Sequence, residues 1–405
     1  MAIEIIRNWP GIRPSVRREV EALASQGVKA SIVNPRMDGH YFLDPNKQIA
    51  VNQAIETWSA HPNFTDELFS ELSPGARAWA GLSKRAIALH AFYNTGTIIS
   101  PSDGIDPACL DWELFDGKSA RQLTIEETPD KSERILQKYD QFFAGLSLRE
   151  GTDRFGLTAH DYIAGSVDRI ADVSRAEIVS TEIVDHTARN LTRYQRDGVV
   201  FCSIGSGLIE TDMWTARMLE KLEVPVHAIH GFDNDPIALA AATSRAKENE
   251  VESLIQLHRI NFVKHPINNL IEKRSVDYAN LVGFFEYLPR GLKRYNMASN
   301  LLRQVAQIVK PGGLIIFGNM VAERPQQKWF EGIWPTLYQR KIEEVLSIIE
   351  EAGFERSQVS VKIAEGEGLY AIYTIQIPES GVVPREPNLL QKSLGQLVLH
   401  KIPEY

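Results

Sequence analysis

The sequence predicts an α/β protein: a doubly wound, mostly parallel sheet of seven strands in the C-terminal half, preceded by a mainly α-helical cap. Three observations carry that prediction. The apolar run Val199–Ile204 ends in Gly205-Ser206-Gly207, and a helical pattern follows at once. A second apolar run, from Val226, closes on an acid, Asp233, 28 residues past Gly205. Strand-like and helix-like segments then alternate as far as Ile377, the pattern that builds parallel sheets with helices on both faces.

Taken in order, the chain opens with an amphipathic helix over Ser15–Gln26, stopped by Gly27, and a short strand over Val28–Val33. Between Pro74 and Asn94, large apolar residues at Trp79, Leu82, Ala86, Leu89 and Tyr93 keep a 3-4-3-4 spacing. That spacing marks one buried helical face. Pro101–Asp116 reads as loop, and Asp130–Leu146 and Ala159–Tyr194 as mostly helical. Past Gly198 the sheet begins. Strands are expected at Val199–Ile204, Val226–Phe232, Leu254–Asn261, Val276–Gly283 and Leu314–Asn319. Helices between them cover Leu208–Leu222, a segment opened by Asp235-Pro236 and running to Glu248, and Leu292–Val309. Asp before Pro is an N-cap followed by proline at the first helical position, and Lys310-Pro311-Gly312-Gly313 is a strong helix stop. A helix over Lys341–Ala352 precedes two last strands, Gln358–Ile363 and Leu369–Ile377, joined at Glu365–Gly368 as a hairpin. The last strand would then run antiparallel. The expected division is a cap at 1–197, a sheet domain at 198–378 and a tail at 379–405.

The 405 residues carry a formal net charge of −8, with 43% hydrophobic and 24% charged residues. That balance is ordinary for a soluble globular chain and argues against a nucleic-acid surface, which carries a basic excess. The N-terminal MAIEIIRNWPGIRP lacks the apolar core of a secretory leader, and no run approaches the ~20 residues of a membrane span. No membrane partner and a cytoplasmic location are therefore expected. Cys109 and Cys202 stand far apart and read as buried thiols. No dense His/Cys/acid motif implies a metal.

The glycine turn lets a ligand approach the backbone closely, and an acid closing the second strand is placed to accept from a ribose diol. A nucleoside-bearing cofactor across the strand ends is the natural reading. A dinucleotide turn would need G-x-G-x-x-G, but here the third glycine is absent and Glu210 stands where a pyrophosphate would come close. Like-charge repulsion disfavours that ligand. An adenosine with a cationic or zwitterionic tail fits better, and that description points to S-adenosylmethionine.

Five features together make Val199–Ile377 resemble the class I S-adenosylmethionine-dependent methyltransferases, a Rossmann-like fold. They are the turn SIGSG, Asp233, the segment LVGFFEYLP after the fourth strand, KPGGLIIFGN along the fifth, and the closing hairpin. The sequence departs from the family pattern at Ser203, where an acid often precedes the first glycine by two residues. It departs again at Asn261, where an acid often follows the third strand. The resemblance does not reach residues 1–197.

On that resemblance Ser203, Gly205, Gly207, Asp233, Asn234 and Gly283 are expected around the cofactor, with Asn261 and Phe262 bracketing its adenine. Gly283-Phe284-Phe285-Glu286-Tyr287 would border the transferring methyl group, with Glu286 or Tyr287 accepting a proton or orienting the acceptor. Asn319, at the end of the fifth strand, would face the crevice. Trp329, Trp334, Tyr338 and Arg340 would line an acceptor pocket, the arginine holding a carboxylate. His160 and Tyr162 would reach in from the cap, and Asp153-Arg154-Phe155 would order a lid. The implied function is methyl transfer to a small-molecule acceptor. Two alternatives stay open at this point. One is attack at the aminopropyl carbon, releasing methylthioadenosine by transfer or by ring closure. The other is a non-catalytic cofactor sensor or partner subunit. The apolar cap helices would also supply a homodimer face.

Overall fold

The computed structural model describes residues 12–34, 45–64, 67, 152–157, 161–162, 165, 167–207, 209–233, 236–260, 265–288, 297–333, 337–364 and 368–380. Its strands are β1 (Lys29–Val33), β2 (Val199–Ile204), β3 (Val226–Asp233), β4 (Ile255–Arg259), β5 (Val276–Leu281), β6 (Val309–Met320), β7 (Val359–Ala364) and β8 (Tyr370–Gln376). They form one sheet in the order β1-β7-β8-β6-β5-β2-β3-β4. Among the described strands only β8 runs antiparallel, to β6 on one side and β7 on the other. The sheet thus has eight strands where the sequence predicts seven. The extra one is β1, which pairs in parallel with β7 at the sheet edge, from Lys29 opposite Ser360 to Val33 opposite Ala364.

The helices are α1 (Pro14–Ser25), α2 (Pro45–Ala60), α3 (Val167–Arg189), α4 (Leu191–Asp197), α5 (Glu210–Glu220), α6 (Pro236–Glu248), α7 (Met297–Ile308), α8 (Gln327–Ile333) and α9 (Ile342–Glu351). They cover both faces. On one face α1, α7 and α9 pack on Cys202, Phe232, Ala279, Ile315, Phe317, Ala371 and Tyr373. On the other, α2, α3, α5, α6 and α8 join a core with Phe201, Ile229, Tyr278, Ile316 and Ile372. Neighbouring residues such as Phe201 and Cys202 go to opposite faces because strand side chains alternate. Since both faces are covered, β5 is buried along its whole length, as central parallel strands are.

The N-terminal half differs most from expectation. Helix α2 went unread in the sequence, although Val51, Ala54, Ile55 and Trp58 are fully buried at the spacing of one helical face. The helix expected over 159–194 breaks at Asn190, whose side chain donates to the His186 carbonyl at 2.9 Å. Such local bonding competes with the helix ladder. The expected elements at 74–94, 101–116 and 130–146 lie outside the described residues, as do Cys109 and the tail from 381. Cys202 is buried and free.

One connection also differs. Lys310-Pro311-Gly312-Gly313 is not a loop before the strand but a bulge inside β6. Val276 pairs with Val309, and the next pair is Tyr278 with Leu314. Lys310 turns inward to donate to the Asp277 carboxylate at 2.7 Å, and Asp277 also accepts from the Val200 N–H at 2.9 Å. The bulge therefore locks three central strands at their amino ends. Among the described residues, no helix is long and apolar enough to cross a membrane.

Candidate active site

Strand order reverses around β2, whose neighbours are β3 on one side and β5 on the other. In such sheets the crevice outside the carboxyl ends at the reversal is where ligands bind. Four segments meet there: the turn after β2, Asp233 ending β3, the turn after β5 and the connection after β6.

The turn after β2 has a left-handed backbone at Gly205 (φ 63°), Gly207 (φ 49°) and Ile209 (φ 56°). Such a φ is a true outlier for a β-branched residue, and strain of this kind, about 1–3 kcal/mol, collects at functional sites. A hydrogen bond from the Ser206 N–H to the Phe232 carbonyl, 2.9 Å, ties the turn to β3. The Asp233 carboxylate accepts from the Gly207 N–H at 2.9 Å. A Cβ at Gly205 would come within 2.6 Å of the Phe284 ring, so only glycine lets the turn after β5 rest on the turn after β2. The Ser206 hydroxyl is buried without a partner.

Beneath the turn lies a polar group that sequence reading missed. Asp212, in the first turn of α5, is 1% exposed. Asn280 on β5 donates to its carboxylate at 3.3 Å, and the Ser203 side chain hydrogen-bonds to it as well. Burial pushes the Asp212 carboxyl up to about 6, against the opposing hydrogen bonds of Ser203 and Asn280. Helix α5 thus sets a buried carboxyl against the Ser203 side chain. Asn280 in turn accepts from the Val282 N–H at 3.0 Å and shapes the start of the next turn.

That turn runs through Gly283 and Phe284 into a single 3₁₀ turn at Phe285–Tyr287. Glu286 is 2% exposed. Its Oε1 accepts a hydrogen bond from the Tyr370 hydroxyl, while Oε2 is buried with no partner. Burial raises the Glu286 carboxyl above its usual range; Arg175, the Tyr370 hydroxyl and Arg340 pull it back. Tyr370 reaches it because β6 carries Gly318, where a Cβ would lie 2.1 Å from the Tyr370 ring. Tyr287 is half-buried and its N–H closes the turn onto the Phe284 carbonyl at 3.1 Å.

The expected acceptor-side residues divide. Arg340 does not lie open to a substrate carboxylate. It is 5% exposed, donates to the Asn319 side chain and the Leu288 carbonyl, and lies over the Phe285 ring at 5.7 Å. Asn319 is equally buried, donating to the Met320 and Tyr338 carbonyls at 2.7 and 3.2 Å. The pair braces the Glu286 turn, because a buried charge needs such partners. Tyr338 is exposed, and its N–H donates to the Glu286 carbonyl at 2.8 Å. The Tyr162 hydroxyl is likewise taken up internally, donating to Asp153 and accepting from the Trp58 indole at 2.9 Å. Its ring stacks on Trp329, centroids 5.5 Å apart. Asp153 also accepts from the Phe155 and Leu157 N–H groups, so 153–157 is a tight turn. Asn234, Asn261, Phe262, His160 and Trp334 lie outside the described residues. Among the described residues, no three His, Cys, Asp or Glu side chains gather as a metal site would require.

Comparison with known proteins adds a family. Residues 212–317, from Asp212 through the Glu286 turn to β6, match the family model described as a methyltransferase domain. No curated protein matches the chain. Among solved structures, the chain is similar to a Bordetella parapertussis protein described as a possible exported protein: 22% identity, TM-score 0.37, over 49% of this chain and 67% of that one. It is also similar to the S-adenosylmethionine-dependent methyltransferase SibL: 14% identity, TM-score 0.39, over 54% and 59%. A third is magnesium protoporphyrin IX methyltransferase from Synechocystis PCC 6803: 14% identity, TM-score 0.37, over 53% and 83%. The match thus spans less than two thirds of SibL and about half of the present chain. The family match takes in β3, β4, β5, the Glu286 turn and most of β6, while the glycine turn after β2 lies outside it, so residues 212–317 are similar to a methyltransferase domain.

Proposed function

We propose that the protein is an enzyme that moves a methyl group from S-adenosylmethionine to a small protic acceptor, with Glu286 receiving the acceptor's proton. The observation that carries the reading is Glu286 itself. One carboxylate oxygen is held by Tyr370, and the other is buried and unpartnered beside the strand ends. An unmet acceptor in low dielectric is costly. A substrate O–H or N–H would satisfy it, and a carboxyl raised toward neutrality is well matched to taking that proton.

The residues present suit the cofactor. Left-handed Gly207, with nothing within 4 Å of where a Cβ would stand, leaves the turn backbone open to close approach. Asp233 stands across that turn and would hold the ribose, and the unpartnered Ser206 hydroxyl offers a further hydrogen bond. The acids Asp212 and Asp233 favour a cationic ligand over a pyrophosphate. Asn234, Asn261, Phe262 and Gly283 would complete the expected cofactor shell, and Ser203 would act through Asp212. When bound, S-adenosylmethionine supplies an electrophilic methyl carbon on its sulfonium. The protein's own share is alignment and proton removal: the Arg340–Asn319 brace and the Tyr370 hydrogen bond fix Glu286, while Tyr338 and Trp329 on the β6 connection would flank the acceptor. The cytoplasm suits the unpaired Cys202 thiol, and the acidic balance of the chain suits a small acceptor better than a nucleic acid.

The test is to incubate the protein with S-adenosylmethionine, alone and with cell extract, and to identify the adenosine product by mass spectrometry. S-adenosylhomocysteine only with extract is the expected result, with Glu286→Gln losing about 10²-fold or more in rate. Methylthioadenosine would replace this reading with attack at the aminopropyl carbon, and its release without extract would mean ring closure. Unchanged turnover in Glu286→Gln would remove Glu286 from the chemistry.

A further inference from the structure

Arg175 belongs to α3, 111 residues before Glu286, in the half of the chain outside the family match. It nevertheless sits at the Glu286 turn. Its Nη2 lies 3.5 Å from where a Cβ on Gly283 would stand, which is van der Waals contact. Its guanidinium carbon lies 5.1 Å from the centroid of the Tyr370 ring. That ring carries the hydroxyl that donates to Glu286 Oε1. A cation over a phenol draws electron density from the ring and makes its O–H a stronger donor.

The groups that face Glu286 come from three directions. Helix α3 brings Arg175, β8 brings Tyr370, and the segment before α9 brings Arg340; a backbone N–H of its own turn adds to them. Arg340 is fixed to Asn319 and the Leu288 carbonyl and serves as a brace. Among the groups favouring the charged carboxylate, Arg175 acts most strongly. A carboxyl buried to this degree becomes neutral unless such a charge opposes its burial, and a neutral carboxyl cannot accept a substrate proton.

We propose that Arg175 is a positioning residue for methyl transfer: lying over the Tyr370 ring and against Gly283, it places a positive charge beside the Glu286 turn while Oε2 stays unpartnered. The proposal rests on the reading of Glu286 as proton acceptor and makes helix α3 part of the active site. The guanidinium lies against the turn at Gly283, whose φ of 85° favours glycine.

The test reads Glu286 directly in the resting full-length protein and needs no acceptor. Infrared spectra of protein carrying ¹³C-carboxyl glutamate, minus those of Glu286→Gln, report the protonation of this one side chain across pH. In Arg175→Met the Glu286 midpoint should rise by about one unit or more, and Arg175→Lys should restore most of the wild-type value. Should Arg175→Met fail to fold, Arg175→Gln is read in the same way. A midpoint unchanged in the folded neutral variant, or a Lys variant that behaves like the neutral one, would overturn the proposal. Because the titration is measured without turnover, this failure is distinct from Glu286→Gln remaining active, which would instead strike the reading beneath it.

Discussion

The two faces of the sheet are built from different chemistry. Under α1, α7 and α9 the packing is almost wholly apolar, with Phe317 stacked on Tyr373 at 5.2 Å and tilted against Phe285 at 4.4 Å. Under α3 and α5 buried polar groups recur. Tyr278 bonds Thr187 at 2.7 Å, Ser180 accepts from Thr215 at 2.9 Å, Glu182 accepts from Thr374 at 3.2 Å, and Asn280 meets Asp212 at 3.3 Å. Ser203, Asn280, Tyr370 and Thr374 all share this face with Phe201, Tyr278 and Ile372 by strand alternation. One face gives the sheet its cohesion. The other carries the desolvated dipoles and charges that a site in low dielectric uses.

Breaking the apolar face should have the largest effect. Phe317→Ala removes a fully buried ring and should cost about 3–5 kcal/mol, read by urea unfolding. Turnover should fall as well, because Phe285 precedes Glu286. A loss below about 1 kcal/mol would mean that this face is not the main support.

The polar face should show itself in acid. His186, bonded to Tyr278 at 3.1 Å, is pushed down to about 4 by burial and then by Arg189 and Arg193. The unfolded chain takes that proton near 6.5, so it binds protons first as pH falls. Stability should therefore decline between about pH 6.5 and 4, by on the order of 1–3 kcal/mol. In His186→Gln the curve should be flatter over that window. Parallel curves for the two proteins would place the acid sensitivity elsewhere. The smallest effect belongs to the outer surface, where Arg356 pairs with Glu343 and Glu350. Arg356→Ala should change stability by less than about 1 kcal/mol.

The same contrast explains what could be read from the sequence. Strands β2, β3 and β5 are bounded by local signals, the glycine turn, Asp233 and Gly283, and lie within two residues of their expected limits. Helix α2, 16 residues long, is amphipathic only in part. The strand expected over Val28–Val33 is β1, but its place in the sheet comes from pairing with β7, more than 300 residues away, which no local pattern announces. In the candidate site, Gly205, Asp233 and Glu286 could be singled out from the sequence because each lies at or shortly after the end of an expected strand. Asp212, Tyr370 and Arg175 were not, since their meaning lies in neighbours distant in sequence: Asn280 for Asp212, and Glu286 for the other two. Arg340 misled for the same reason. Its aromatic neighbourhood resembled a pocket lining, and only the fold shows its bonds to Asn319 and Leu288.

The account stands most directly on the claim that the crevice between β2 and β5 holds the cofactor. Calorimetric titration of S-adenosylmethionine into the wild-type protein and into folded Asp233→Ala tests it. The wild type should bind, and the variant should bind more than tenfold more weakly, since a hydrogen bond to a charged group contributes about 1.5–3 kcal/mol. Equal affinity in the two proteins would contradict the placement of the cofactor beside Asp233.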